Sequence, residues 1–103
     1  MRKVTQETVA AFVSNIATKK TNTKVEVRDE ETFFYLHNNM IAHKFNDGKE
    51  LFITTCGWES NTTKERLNGI LRHYNLPMIS QKNWIWYLGE EEWKTGTKIF
   101  KIK

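Results

Sequence analysis

The sequence predicts an α+β domain: an N-terminal helix, an antiparallel β-meander, a second helix and C-terminal strands that pair like a hairpin. Three observations carry this. Two segments repeat apolar residues at helical spacing, Val9, Phe12, Val13 and Ile16 in one and Leu67, Ile70, Leu71 and Tyr74 in the other. Between them, short runs rich in β-branched and aromatic residues are punctuated by Asn-Asn and Asn-Asp-Gly. The length, 103 residues, suits a single domain over 1–103 with one modest core.

The first helix is expected to be capped by Thr5 and to run to about residue 17. Val4 and Val9 would form a hydrophobic staple across that cap. A polar connector, Thr18 to Thr23, follows, and Val25 to Arg28 alternates as a strand. Thr32–His37 and Met40–Phe45 flank Asn38-Asn39, residue types that tolerate the positive φ of a type I′ turn. Asn46-Asp47-Gly48-Lys49 signals a second hairpin into Leu51. Closing both turns as two-residue loops puts Phe33, Tyr35, Ala42, Leu51 and Ile53 on one face, and Phe34, Leu36, Ile41, His43 and Phe52 on the other. Both faces are then rather apolar. Coverage on both sides is the preferred reading, with a docking face as the alternative.

Thr62 and Glu65 predict a capping box for a second helix over 63–74, ended by Asn75 and Pro77. Met78–Gln81 and Asn83–Leu88 are expected to be strands, with Trp84 and Trp86 sharing one side. Gly96–Lys103 reads as an edge strand protected by lysines.

The net charge of +4 is unevenly placed: +4 over residues 1–24, −4 over 25–63, +3 over 64–82 and +1 over the remainder. A basic helix, an acidic meander and a basic helix in succession suit orientation against a polyanion. Cys56 is the sole cysteine, so no intramolecular disulfide can form and a reducing cytoplasm is the expected setting. The sequence shows neither the h-region of a signal peptide nor a run of membrane-spanning length, and no membrane partner is expected.

The chemistry points to binding. His37, His43, His73 and Cys56 lack metal-ligand spacing, so neither a metal nor a cofactor is expected. Cys56 stands about a turn and a half before the second helix with no nucleophile motif around it, and Glu90-Glu91-Glu92 looks like a solvated turn. The entrance to the second helix is the leading site. Unpaired amides and the helix dipole favour anions there, and Ser60, Asn61, Thr63, Lys64 and Arg66 would contact phosphate, with Arg72 and Lys82 extending the track. Trp58, Trp84 and Trp86 are candidates for contacting a partner, by stacking on bases or anchoring a protein.

Tyr35-Leu36-His37-Asn38-Asn39-Met40-Ile41-Ala42, Gly57-Trp58 with Thr62-Thr63-Lys64-Glu65-Arg66-Leu67-Asn68, and Gln81-Lys82-Asn83-Trp84-Ile85-Trp86-Tyr87-Leu88 together resemble a set of small accessory proteins of tailed bacteriophages. The resemblance covers roughly residues 5–88 and implies a phage gene product acting in the bacterial host cytoplasm; it brings no catalytic residues with it. The element order is also similar to that of double-stranded-RNA-binding domains, but Glu65 interrupts the basic cluster those domains carry at this helix start. The sequence therefore predicts a non-enzymatic phage protein contacting nucleic acid. The alternative is a protein-binding inhibitor of a host or antiviral-defence factor, engaged through the aromatic C-terminal strand and Asp29-Glu30-Glu31.

Overall fold

In the computed structural model, which describes residues 2–102, helix α1 spans Lys3–Val13 with Arg2 at its N-cap. Thr5 is not the cap. It lies inside the helix with its side chain fully buried. The helix also ends earlier than expected, because Asn15 adopts a left-handed φ of 59°. The amides of Ile16 and Asn15 then bond back to the carbonyls of Ala11 and Phe12, a Schellman closure. This turns Ile16 out of the apolar stripe, leaving it 58% exposed, while Val9 and Phe12 stay in the core.

Five strands follow: β1 (Thr18–Lys20), β2 (Thr23–Arg28), β3 (Glu31–Leu36), β4 (Asn39–Phe45) and β5 (Glu50–Thr54). The segment expected to be a connector thus contributes the edge strand β1. Helix α2 (Asn61–His73) is followed by β6 (Ile79–Lys82), β7 (Ile85–Leu88), β8 (Glu91–Glu92) and β9 (Thr97–Lys101). The architecture is α+β, with a six-stranded antiparallel sheet ordered β1-β2-β3-β4-β5-β9 and a small sheet ordered β6-β7-β8. As expected, the C-terminal segment forms an edge, but it does so by returning to pair with β5 in the main sheet. Lys103, the last lysine of that alternation, lies outside the described residues.

The return depends on Gly96. Its φ is +72°, its carbonyl accepts from the Thr55 amide at 2.8 Å, and a Cβ there would meet Thr55 Oγ1 at 2.8 Å. Only glycine satisfies both the left-handed backbone and this approach.

The meander's register differs from the sequence reading. His37 and Asn38, with φ of 51° and 66°, form the two-residue turn, so the loop sits one residue earlier than Asn38-Asn39. A bulge between Phe34 and Tyr35 shifts the register again and lets consecutive Ile41 and Ala42 both be buried. Asn46 to Lys49 is a four-residue loop between β4 and β5. Consequently Phe34, Leu36, Leu51 and Ile53 join Val25 on the core face, under both helices, with Phe34 meeting Phe12 edge-on at 5.7 Å. The predicted grouping of Phe33 and Tyr35 with Leu51 and Ile53 is corrected by the bulge, since a turn moved by one residue alone would have kept it.

The expected coverage of both faces is corrected as well. Phe33, His43, Phe52 and Ile99 are successive cross-strand partners on the outer face. Among the described residues no helix lies over that row, and Ile99 and neighbouring Phe45 are exposed. Its aromatic members shield one another instead, with His43 stacked on Phe33 at 4.7 Å and Arg28 over Phe33 at 4.3 Å.

Candidate nucleic-acid interface

Helix α2 is capped by Ser60, not by Thr62, and begins at Asn61. Ser60 has extended backbone angles and its Oγ accepts from the Thr63 amide at 3.1 Å, while the two hydroxyls meet at 3.0 Å. The molecule's own cap thus occupies one of the first free amides. Thr63 is buried beneath it, whereas Asn61 is exposed at the first helical position. The capping box assigned to Thr62 and Glu65 does not form, because Glu65 points to the first helix instead.

Arg66 is the largest departure at this site. It is 1% exposed and sits on the same helical stripe as Thr63, Leu67, Ile70 and Leu71. Its Nε donates to Thr23 Oγ1 at 3.0 Å, and its Nη1 donates to Thr5 Oγ1 at 2.7 Å and to Glu65 Oε1. Glu65 also accepts from the Thr5 hydroxyl at 2.6 Å and the Arg2 amide at 3.0 Å. Burial lowers the guanidinium's pKa, and the Arg2 charge adds to this against the opposing pull of Glu65. For Glu65, burial is outweighed by the Thr5 and Arg2 hydrogen bonds and the two arginine charges, so its carboxyl is held below the usual glutamate range. In this packing Arg66 joins α1, α2 and β2 and presents no group to a phosphate.

Lys64, Asn68 and Arg72 recur every four residues along α2 and, with Asn61, Glu65 and Gly69, line a groove of about 320 Å³. Lys64 and Arg72 are two turns apart, about 12 Å of axial rise. Asn68 is committed: its side-chain amide donates to the Ile79 carbonyl and accepts from the Ile79 amide, at 2.9 and 2.7 Å, docking β6 onto the helix. Lys64 Nζ stands 6.0 Å from the Trp86 ring. Lys82 is exposed, but its register partner is Ile85, so it lies on the hairpin face opposite Trp86. Among the described residues, no ion pair involves Lys64, Arg72 or Lys82.

The tryptophans separate. Trp86 is 5% exposed and belongs to the core, whereas Trp84 is 90% exposed in the turn between β6 and β7. They share no strand face, which corrects the sequence reading: the turn takes up Asn83 and Trp84, both at positive φ. Trp58 is 65% exposed and lines, with Leu36, His37, Asn39, Ile41, Thr55 and Thr63, a mostly apolar cavity of about 310 Å³.

No group of three or more His, Cys, Asp or Glu side chains placed to hold a metal occurs among the described residues. Nor is any helix there long and apolar enough to cross a membrane.

Sequence reasoning missed the Phe33–His43–Phe52–Ile99 row because the bulge between Phe34 and Tyr35, which sets Phe33 opposite His43, leaves no mark in the alternation. Comparison with curated proteins and with solved structures finds no match. A family model described as Kyanoviridae Gp96 protein matches residues 1–101, consistent with the resemblance to small phage proteins. The chain belongs to this bacteriophage family, the Kyanoviridae Gp96 proteins.

Proposed function

We propose that this phage protein is a non-enzymatic accessory factor that binds nucleic acid in the host bacterial cytoplasm, using Lys64 and Arg72 on α2 and Lys82 at the β6–β7 hairpin. The observation that carries the reading is the lack of ion-pair partners for these three cations, among the described residues, beside a groove that Asn61 and Glu65 also line, the Glu65 carboxylate being held by Arg66, Thr5 and Arg2. Cations left without internal ion partners are free to replace the counterions of a phosphate backbone. The adjoining N-terminal amides of α2 add a favourable dipole. Arg66 has no part in this contact.

Fluorescence anisotropy with labelled DNA and RNA at two salt concentrations tests the proposal. Binding that weakens as salt rises supports it; no association at low salt refutes it.

A second reading, capture of a host or defence protein, is favoured by the mostly apolar cavity that Trp58 helps to line. A pocket of this size suits one large apolar side chain from a partner. It predicts a discrete protein recovered from host lysate and lost on Trp58→Ala. Recovery that is unchanged by the substitution would count against it.

A further inference from the structure

The tip of the β6–β7 hairpin is built in an unusual way. A two-residue turn with both residues in the left-handed region ordinarily ends in glycine, yet here Asn83 and Trp84 occupy it with φ of 53° and 68°. A bulky residue adopts that conformation at an energetic cost. The Trp84 ring recovers nothing by packing, being 90% exposed and absent from every ring–ring and cation–ring contact among the described residues.

The base beneath this tip is well held. The paired Asn68 hydrogen bonds fix Ile79, and Trp86, two residues past the tip, is buried. Two residues of strand are about 7 Å, so an open ring stands close to a cation-bearing surface. Lys82 adjoins the turn on one hairpin face, and Lys64 approaches Trp86 on the other.

We infer that Trp84 stacks on an unpaired nucleobase, so that the ligand is single-stranded nucleic acid with the adjoining phosphate on Lys82. The inference rests on the nucleic-acid reading above and narrows it to a strand with accessible base faces. A duplex keeps its bases stacked on one another and offers the ring only its ends, whereas any unpaired base presents a π face to an exposed indole. A protein partner would be an equally good home for the ring, but it would not explain neighbouring lysines left without acidic partners.

The test is anisotropy with fluorescein-labelled oligothymidylate and a blunt duplex of equal length, using wild type, Trp84→Gly and Trp84→Phe. Glycine suits the left-handed backbone, so Trp84→Gly is expected to melt no lower than wild type and the comparison is one of folded proteins. Wild type should prefer the single strand, Trp84→Gly should lose roughly tenfold in affinity for it, and Trp84→Phe should keep most of the binding. The salt dependence of Trp84→Gly should stay that of wild type, because its phosphate contacts remain. Binding of oligothymidylate by Trp84→Gly as tight as wild type overturns the stacking role while leaving the nucleic-acid reading in place. A wild-type preference for the duplex overturns the single-strand assignment. Failure of wild type to bind either probe overturns both readings together.

Discussion

The Arg66 guanidinium donates to the Thr5 hydroxyl at 2.7 Å, across the interface between the two helices. The same guanidinium holds Thr23 of β2 and Glu65 of its own helix, so one charged side chain satisfies polar groups from three elements beneath the surface. Replacing Arg66 with Met fills some of the volume but leaves Thr23 and the Glu65 carboxylate without this donor. A loss of about 2 kcal/mol is expected, since buried Thr23 loses a charged donor and Glu65, part-exposed and still held by Thr5 and Arg2, loses its closest cation. Urea denaturation checks this. A change below about 0.5 kcal/mol, the scale of an ordinary surface substitution, would contradict the structural role.

Glu65 supplies a pH dependence whose sign follows from its lowered pKa. A carboxyl depressed in the folded state contributes stability that is complete above its unfolded pKa, about 4.3, and is lost as pH falls through the folded value. Stability should therefore fall as the pH is lowered below about 5. Glu65→Gln should flatten this acid limb, which denaturation midpoints measured from neutral pH to pH 3 would reveal. An unchanged slope would contradict the assignment.

The early end of α1 distinguishes two residues that helical spacing alone treats alike. Phe12→Ala removes a ring packed edge-on against Phe34 in the core and should cost about 3–5 kcal/mol. Ile16→Ala should cost no more than about 0.5 kcal/mol, because the left-handed turn at Asn15 has carried Ile16 into solvent. Comparable losses for the two, measured by chemical denaturation, would restore the longer helix.

Gly96→Ala should destabilise the protein by about 1–3 kcal/mol, since it meets both a positive φ and the Thr55 hydroxyl. Faster amide exchange across the β5–β9 pairing is expected along with the lower melting temperature. A neutral effect on both would show that β9 docks without this turn.

What was legible in the sequence was what local chemistry decides. Asn75 followed by Pro77 marked the end of α2, and the structure places Asn75 at φ 56° with Leu76 bonded back to Leu71. Asn15 carries the same signal at the end of α1, but the apolar Ile16 beyond it masked the stop. The His37-Asn38-Asn39 stretch holds two overlapping turn candidates, and its hydrophobic pattern could not choose between them without the bulge at Phe34 and Tyr35. Arg66 falls on the buried stripe by spacing alone, four residues before Ile70. Its acceptors Thr5 and Thr23 are remote in the chain, so nothing local marked the position as able to hold a charge. Lys64 and Arg72 were legible because surface positions are set by helical periodicity. Trp84 and Trp86 were misjudged for a reason of parity: a two-residue turn at Asn83-Trp84 takes Trp84 out of the strand.

The most direct test of the proposed function compares wild type with the Lys64→Ala/Arg72→Ala/Lys82→Ala variant by nucleic-acid anisotropy over a series of salt concentrations. Arg72 and Lys82 are exposed and Lys64 is half-buried over the Trp86 ring, none with an ion partner among the described residues, so the variant should fold with at most a small loss of stability. If each cation meets one phosphate, the slope of log affinity against log salt should shrink by about 0.7 per contact on single strands. A folded triple variant that binds with wild-type affinity and slope would contradict the account.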